Sequence, residues 1–395
     1  MPYDDEIGRR YPHILFGKSW TLAEDVVYKI GQCDAIVQAI SRIPVQPEFQ
    51  RELLNVSLTK GAQATTAIEG NSLTEAEVER VAQGASLPPS KEYQEREVRN
   101  ILDAMNELLR AVASDGQVPL ISEELIRSFH RMVGRELGEH FDAVPSQFRT
   151  DERIVGPYKC PRAEHVQELV RRLCEWLPRE FVFPSGQQTF AQAVVQAVVT
   201  HVYIEWIHPF GDGNGRTGRL LEFYILLLAG NPDIGSHILS NHYNETRPEY
   251  YRQLDRASKE RDLTSFLRYA LQGYLDGLTA VLERVLDNSL KVAWRHLVYD
   301  RFADRAYHKK TVFKRRRALA LALPPGQPLS VREIALVTPE LTRQYAVVSS
   351  RTLLRDVEEL QEMDLVVEKN GAYEINLGLL RSLMPRRLRK PSMAA

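Results

Sequence analysis

The twelve residues from His208 to Arg219, His-Pro-Phe-Gly-Asp-Gly-Asn-Gly-Arg-Thr-Gly-Arg, constrain this chain more than any other stretch. They gather an imidazole, a carboxylate, three loop glycines and two arginines. Glycine lets a backbone take positive φ and approach a ligand closely. Asn214 is a favourable N-cap for the apolar run at 220–228, so a helix is predicted to start at Asn214 or Gly215. Arg216 and Arg219 then lie three apart on one face of its first turns, where cations oppose the helix macrodipole. That placement makes sense if a polyanion docks there, held by free backbone N–H groups and guanidinium forks. Asp212 beside phosphates is suited to hold Mg²⁺, and His208 is left as proton acceptor.

Two other readings compete. The run from Gly213 to Gly218 also fits G-x-G-x-x-G, a dinucleotide fingerprint that requires a preceding strand. The preceding segment is instead helical: Phe190, Val194, Val198, Val202 and Trp206 recur every fourth residue, with Ala191, Val195, Val199 and Tyr203 beside them. A structural reading, with His208 and Asp212 merely capping and turning a helix hairpin, explains Pro209 and the glycines but not the arginines.

The stretch resembles the Fic family signature, H-P-F-x-[DE]-G-N-G-R-x-x-R, at every specified position. The resemblance implies a mainly α fold, a Fic-type helical core with a small β-hairpin flap. It also implies an adenylyltransferase moving AMP from ATP to a Tyr, Thr or Ser hydroxyl of a protein. By the same resemblance His208 is the general base, Asp212 the Mg²⁺ ligand, and Gly213, Asn214 and Gly215 the anion-hole loop. Arg216 meets the β-phosphate region and Arg219 the γ-phosphate, with Thr217 and Gly218 completing the nucleotide-binding segment. The chemistry agrees with the local reading, since in-line attack at an α-phosphate needs a base, charge neutralisation and positioning rather than a covalent nucleophile.

Upstream, Thr65-Thr-Ala-Ile-Glu69-Gly70 matches [ST]-x-x-x-E-[GN], the inhibitory motif of one class of Fic proteins. Thr65, Glu69 and Gly70 are thereby implied to restrain the enzyme. A Glu69 carboxylate on Arg219 would occupy the guanidinium that a γ-phosphate needs; the competing reading is a solvated glutamate at a helix end. The run at 241–251 is similar to the family's adenine-pocket region, which makes Asn244, Tyr250 and Tyr251 candidates for that wall; the alternative is tyrosines packing a helix onto the core. A polar hairpin is predicted at 148–156. In Fic proteins the comparable segment is a flap aligning the target backbone by strand addition, and an ordinary hairpin is the equal alternative.

Length bounds the architecture at two or three domains for 395 residues. A net charge of −1 argues against a dominant nucleic-acid or membrane-surface role. Cys33, Cys160 and Cys174 lie far apart without metal-ligand spacing, which fits a reduced, cytoplasmic setting. No signal-peptide pattern is evident, and the apolar runs read as short of a membrane span.

Along the rest of the chain, the first 20 residues read as an irregular arm. Helices are expected after Thr21, from Pro47 to Ile68, over 75–83 behind a Ser72 or Thr74 cap, over 91–113, after Ser122, over 160–181 and on to Asp304. The lysines and arginines at 309–317 mark a boundary. Beyond it a helix over 349–363 and a hairpin around Asn370-Gly371 resemble a winged helix. Its presumptive recognition helix sets Arg351 and Arg355 against Asp356, Glu358, Glu359 and Glu362, a poor balance for a DNA reader. Protein contact or dimerisation is favoured there over nucleic acid.

The sequence thus predicts an N-terminal helical region with the inhibitory motif (1–88), a Fic catalytic core (89–304) and a winged-helix-like C-terminal domain (305–395). The expected partners are ATP, Mg²⁺ and a protein target, which could be the chain itself. Two alternatives stay open: removal of AMP with Glu69 positioning a water, and a DNA-bound regulator whose core senses a nucleotide.

Overall fold

The structure, a computed structural model, describes residues 5–114, 119–181, 188–235, 237–303, 305 and 310–382; Lys309 and the basic tail at 386–390 lie outside them. The chain divides into two units, residues 1–285 and 286–395. The first begins with α1 (Glu6–Arg10), α2 (Glu24–Arg42), α3 (Pro47–Ala67), α4 (Glu75–Ala82), α5 (Glu92–Ala113) and α6 (Glu123–Val133). A hairpin of β1 (Ile154–Val155) and β2 (Tyr158–Lys159) leads to α7 (Ala163–Glu180), α8 (Phe190–Ile207), α9 (Asn214–Leu228), α10 (Ile238–Glu245) and α11 (Arg247–Glu260). The last helix, α12 (Thr264–Ala303), crosses from residue 285 to 286. The change of unit therefore falls inside a helix, and the region at 1–88 shares a unit with most of the core predicted at 89–304.

Local signals explain most helix starts. Pro47 sits in the first turn of α3, where its missing N–H costs nothing. Thr74 and Glu77 form a reciprocal capping box on α4, as do Thr189 and Gln192 on α8, and Ser122 Oγ accepts from Leu125 N on α6. Two expectations need correction. The arm contains α1, because Asp5 accepts from Gly8 N and caps it. The hairpin pairs Ile154 with Lys159 across Gly156-Pro157 instead of spanning 148–156, because Arg149 ties its stretch to the loop after α8.

Apolar nearly all round, α8 lies in the core of the unit. Among the described residues it is the helix long and apolar enough to cross a membrane, yet 78% of it is buried within the fold. Helix α9 packs along it at Gly218, where an added Cβ would stand 2.9 Å from His201 Nδ1 and 3.6 Å from His201 O.

The second unit consists of the end of α12 from residue 286, α13 (Lys310–Ala322), α14 (Val331–Ile334), α15 (Pro339–Ala346), α16 (Ser350–Glu362), the hairpin β3 (Val366–Lys369) and β4 (Ala372–Ile375), and α17 (Leu377–Ser382). Asn370 and Gly371 both take positive φ, as a two-residue turn between twisted strands requires. Leu353, Val357 and Leu360 of α16 face the core beside Trp294, Leu319 and Ile375. Buried Asp356 accepts from Arg315 Nε and Arg316 Nε, each at 2.7 Å, and from Tyr345 OH at 3.1 Å.

His130 of α6 fixes the loop between α8 and α9. Its Nδ1 accepts from Ser146 N at 2.9 Å, its Nε2–H donates to Asp212 O at 2.9 Å, and its ring stacks on Phe210 with centroids 3.7 Å apart. Both nitrogens are used by the neutral ring, and burial holds it down at about 4.

Two outcomes are expected. Gly218→Ala forces α9 away from α8 and destabilises the protein by about 1–3 kcal/mol, read as a lower urea midpoint; an unchanged midpoint would mean the interface yields freely. His130→Gln can keep both hydrogen bonds but loses the stacked ring, so it melts below the wild type at pH 7.5. Unfolded histidine takes its proton near 6.5 and folded His130 only near 4, so its contribution is full above pH 6.5 and lost as pH falls through 4. The melting gap should therefore narrow towards pH 4.5. Buried Glu205 and Glu222, pushed up to about 7 and 8, act oppositely but cancel in the comparison; a gap independent of pH would refute the assignment.

Candidate active site

His208 ends α8 in the left-handed region, φ 49°, and Gly213 turns the chain into α9 with φ 75°. Pro209 bars continuation of the helix. Arg149, 6% exposed, clamps the turn: its Nε donates to His208 O at 2.7 Å, its Nη1 to Asp151 O at 2.6 Å, and its backbone N to Pro209 O at 3.0 Å. Asn214 opens α9 as its first residue, but its side chain is not the N-cap. It bridges backward, accepting from Phe210 N at 2.8 Å and donating to Phe210 O at 2.9 Å. A left-handed glycine precedes the helix and leaves the asparagine free to staple the loop. The N–H groups of Asn214, Gly215 and Arg216, the orphan donors of a helix start, take no acceptor among the described residues.

Both signature arginines are buried and paired. Arg219 Nε donates to Thr65 Oγ1 at 2.9 Å, and its Nη2 donates to Thr65 O at 2.9 Å and Glu69 Oε1 at 2.6 Å. Glu69 sits in the turn closed by Gly70, φ 100°, just after α3. Arg219 Nη1 lies 3.9 Å from Glu205 Oε1. Arg216 bonds Glu97 of α5 through Nη1 and Asp212 Oδ1 through Nη2 at 2.7 Å. Arg216 therefore braces α5 against the loop rather than lining the cleft, and Asp212 Oδ1 also accepts from Gly213 N at 2.5 Å.

Burial, with Arg149 nearby, lowers His208 to about 4, so the imidazole is neutral and able to accept a proton. Its Nδ1 is buried without a hydrogen-bond partner among the described residues. Burial opposes ionisation of Glu69, but Arg219 and Arg216 outweigh it and hold that carboxyl below its usual value. Glu205 has no close hydrogen-bonded cation; burial and the Glu69 charge push it up to about 7.

A cleft of about 220 Å³ gathers Glu69, Glu205, His208, Asp212, Gly213, Asn214, Gly215, Tyr250 and Tyr251. A groove of about 530 Å³ adjoins it, lined by Val155, Pro157 and Tyr158 of the hairpin and Trp206, Tyr251, Leu254 and Ser258. The tyrosines are differently placed: Tyr250 is buried with its OH 2.9 Å from His201 Nε2, while Tyr251 OH donates to Ile68 O at 3.1 Å. Asn244, Thr217 and Gly218 are not among the lining residues of either cavity. Glu97, His130, Arg149 and Glu205 escaped the sequence reading. Only Glu205 carried a local signal, standing three residues before His208 on α8.

Residues 120–226 match the Fic/DOC family. Among curated proteins, the chain is similar to protein adenylyltransferase fic-1 of Caenorhabditis elegans, 28% identical over 231 residues, 57% of this chain and 42% of that protein. The matched stretch spans less than half the length of the curated relatives. Two solved structures share the fold. One is a Fic family protein from Desulfovibrio desulfuricans G20, with TM-score 0.54 and 19% identity over 91% of this chain and 98% of that one. The other is Fic-1 from C. elegans, with TM-score 0.53 and 24% identity over 68% and 74%. With the signature and its fold both in place, residues 120–226 form a domain that matches the Fic/DOC family.

Proposed function

We propose that the protein transfers AMP from ATP to a hydroxyl side chain of a protein and that Glu69 restrains it. The observation that carries this reading is a neutral His208 in the same cleft as the unpaired N–H donors at the start of α9. The relatives named adenylyltransferase support it. The phosphates lie at the α9 start, and the base enters the groove of about 530 Å³, within the roughly 300–1,000 Å³ of small-molecule sites. His208 takes the hydroxyl proton as the oxygen bonds the α-phosphorus, and the bond to the β-phosphate oxygen breaks, releasing pyrophosphate. The loop N–H groups hold the developing charge.

Asp212 fits an Mg²⁺ ligand: Oδ1 is held by Arg216 and Gly213, and Oδ2 accepts from no described residue. Mg²⁺ characteristically uses one or two carboxylates plus phosphates and water, and it supplies charge neutralisation. Glu69 stands where the γ-phosphate would meet Arg219. A third of its side chain is solvent-accessible beside His208, and this favours one second reading, in which Glu69 orients a water that removes AMP. The second unit reads best as a winged-helix-like protein-contact module, because Arg305, Arg315 and Arg316 are committed to carboxylates of α16.

Glu69→Gly should bind ATP roughly tenfold tighter or better, a gain of about 1.4 kcal/mol, and transfer faster, at a stability loss of about 3 kcal/mol, because buried Arg219 loses its carboxylate. Arg219→Ala should bind poorly, and the double variant no better than Arg219→Ala, as residues sharing one contact behave. Calorimetric ATP titration of all four proteins checks this; a Glu69→Gly protein that binds and transfers like wild type would remove the restraint. If Glu69→Gly instead loses release of AMP from previously modified protein, the removal reading holds. His208→Ala should abolish AMP incorporation seen by mass spectrometry while ATP affinity changes less than about twofold, since the ring touches no phosphate in this scheme. Retained incorporation would exclude His208 as the base.

A further inference from the structure

The cleft and the groove meet at three residues, Val155, Glu205 and Tyr251. Val155 is aliphatic, and the Tyr251 hydroxyl is donated to Ile68 O. Glu205 keeps an uncommitted polar group at this junction. Its Oε1 accepts from Tyr250 OH at 3.4 Å and stands 3.9 Å from Arg219 Nη1, beyond hydrogen-bond reach, and its Oε2 accepts from no described residue. The side chain is 16% exposed. The oxygen without a described partner, Oε2, is not sealed from solvent, so it is open to the cleft and available to a ligand.

Placement says what it faces. A Cβ built on Gly215 would stand 3.0 Å from Glu205 Oε1, so the carboxyl abuts the loop that offers the orphan N–H groups. On its other side begin Trp206, Leu254 and the hairpin. With phosphates at one end and an aromatic base at the other, the segment of a nucleotide passing Glu205 is the sugar, whose polar groups at that point are hydroxyl donors.

We propose that Glu205 is a specificity-determining residue that recognises the ribose, its carboxyl accepting from the 2′- or 3′-hydroxyl of the nucleotide. The inference rests on the proposed nucleotide binding. Two acceptor oxygens suit a vicinal diol, and a site built to hydrogen-bond a substrate hydroxyl rejects the analogue lacking it far more strongly than an apolar wall could. Glu205 also lies in the field of Arg219, whose Nη1 has no hydrogen-bond partner among the described residues, but at 3.9 Å it makes no hydrogen bond to that guanidinium, which bonds Thr65 and Glu69 instead.

The test uses the full chain carrying Glu69→Gly, alone and combined with Glu205→Gln or Glu205→Ala, titrated calorimetrically with ATP, 2′-deoxyATP and 3′-deoxyATP. The parent should prefer ATP over at least one deoxy analogue by roughly tenfold, equivalent to about 1.4 kcal/mol. Glu205→Ala should bring that ratio within about twofold, and the isosteric Glu205→Gln, which keeps one acceptor, should fall between. A residue that only packs or steadies Arg219 would weaken all three ligands alike and leave the ratio standing, which overturns the proposal. Equal affinities in the parent overturn it too while leaving nucleotide binding intact. Failure of the parent to bind any of the three refutes the nucleotide reading and Glu205's part with it.

Discussion

A guanidinium has five N–H donors and keeps its charge in proteins, so burying one dictates what must surround it. Arg219 is 1% exposed, and the fold answers with the Thr65 hydroxyl, the Thr65 carbonyl and the Glu69 carboxylate, all from the end of α3. That requirement fixes the register of α3 against α9 and sets Glu69 in the cleft. The turn after Ala67 is closed by a glycine with positive φ, and Asn71 N returns to Thr66 O. Asn71 Nδ2 then reaches Glu97 Oε2, whose other oxygen receives Arg216. One hydrogen-bonded chain thus links Glu69, both signature arginines and α5.

The turn that carries His208 is held by groups outside the cleft lining. Its carbonyl is held by Arg149, the carbonyl of Pro209 by the Arg149 backbone, and the carbonyl of Asp212 by His130. Each tie satisfies a loop carbonyl that the tight turn leaves outside the helices. The N–H groups at the start of α9 stay unpaired. The donors are left free and the acceptors are consumed, an asymmetry that fits the proposed charge development on phosphate oxygens.

The sequence exposed whatever is encoded locally. The Thr74 cap, the Pro47 start, the Asn370-Gly371 turn and the apolar stripe of α8 are short-range physics, and they fell where expected. The pairing of Glu69 with Arg219 was also legible, because two motifs in one chain implied each other. Glu97 and Arg149 were not, since each meets the site only through tertiary packing from another element. Cap preference misleads at Asn214 because it assumes the residue precedes the helix, whereas Gly213 takes that place and the amide turns back to Phe210. The hairpin lies later than its polar lead segment suggests because Arg149 tethers that segment and it cannot pair.

Charge balance ties these pieces to the proposed chemistry. Two buried guanidinium groups, Arg216 and Arg219, face four carboxyls, those of Glu69, Glu97, Glu205 and Asp212. That excess of negative charge is unfavourable among partly buried groups, and burial together with the Glu69 charge pushes Glu205 up to about 7. A triphosphate adds several more negative charges to the same space. It can enter only if a carboxylate gives up a guanidinium or a cation arrives with it. Glu69, a third accessible to solvent and carried on a turn at the end of α3, is the carboxylate freest to leave, whereas Glu97 is 7% exposed and fixed by Asn71. Asp212, with Oδ2 uncommitted beside the loop, is the group best placed to bring the cation. The ion pair that fills the cleft at rest and the carboxylate left half-satisfied beside it are two answers to one electrostatic constraint: negative charge can be added here only where positive charge is released or imported.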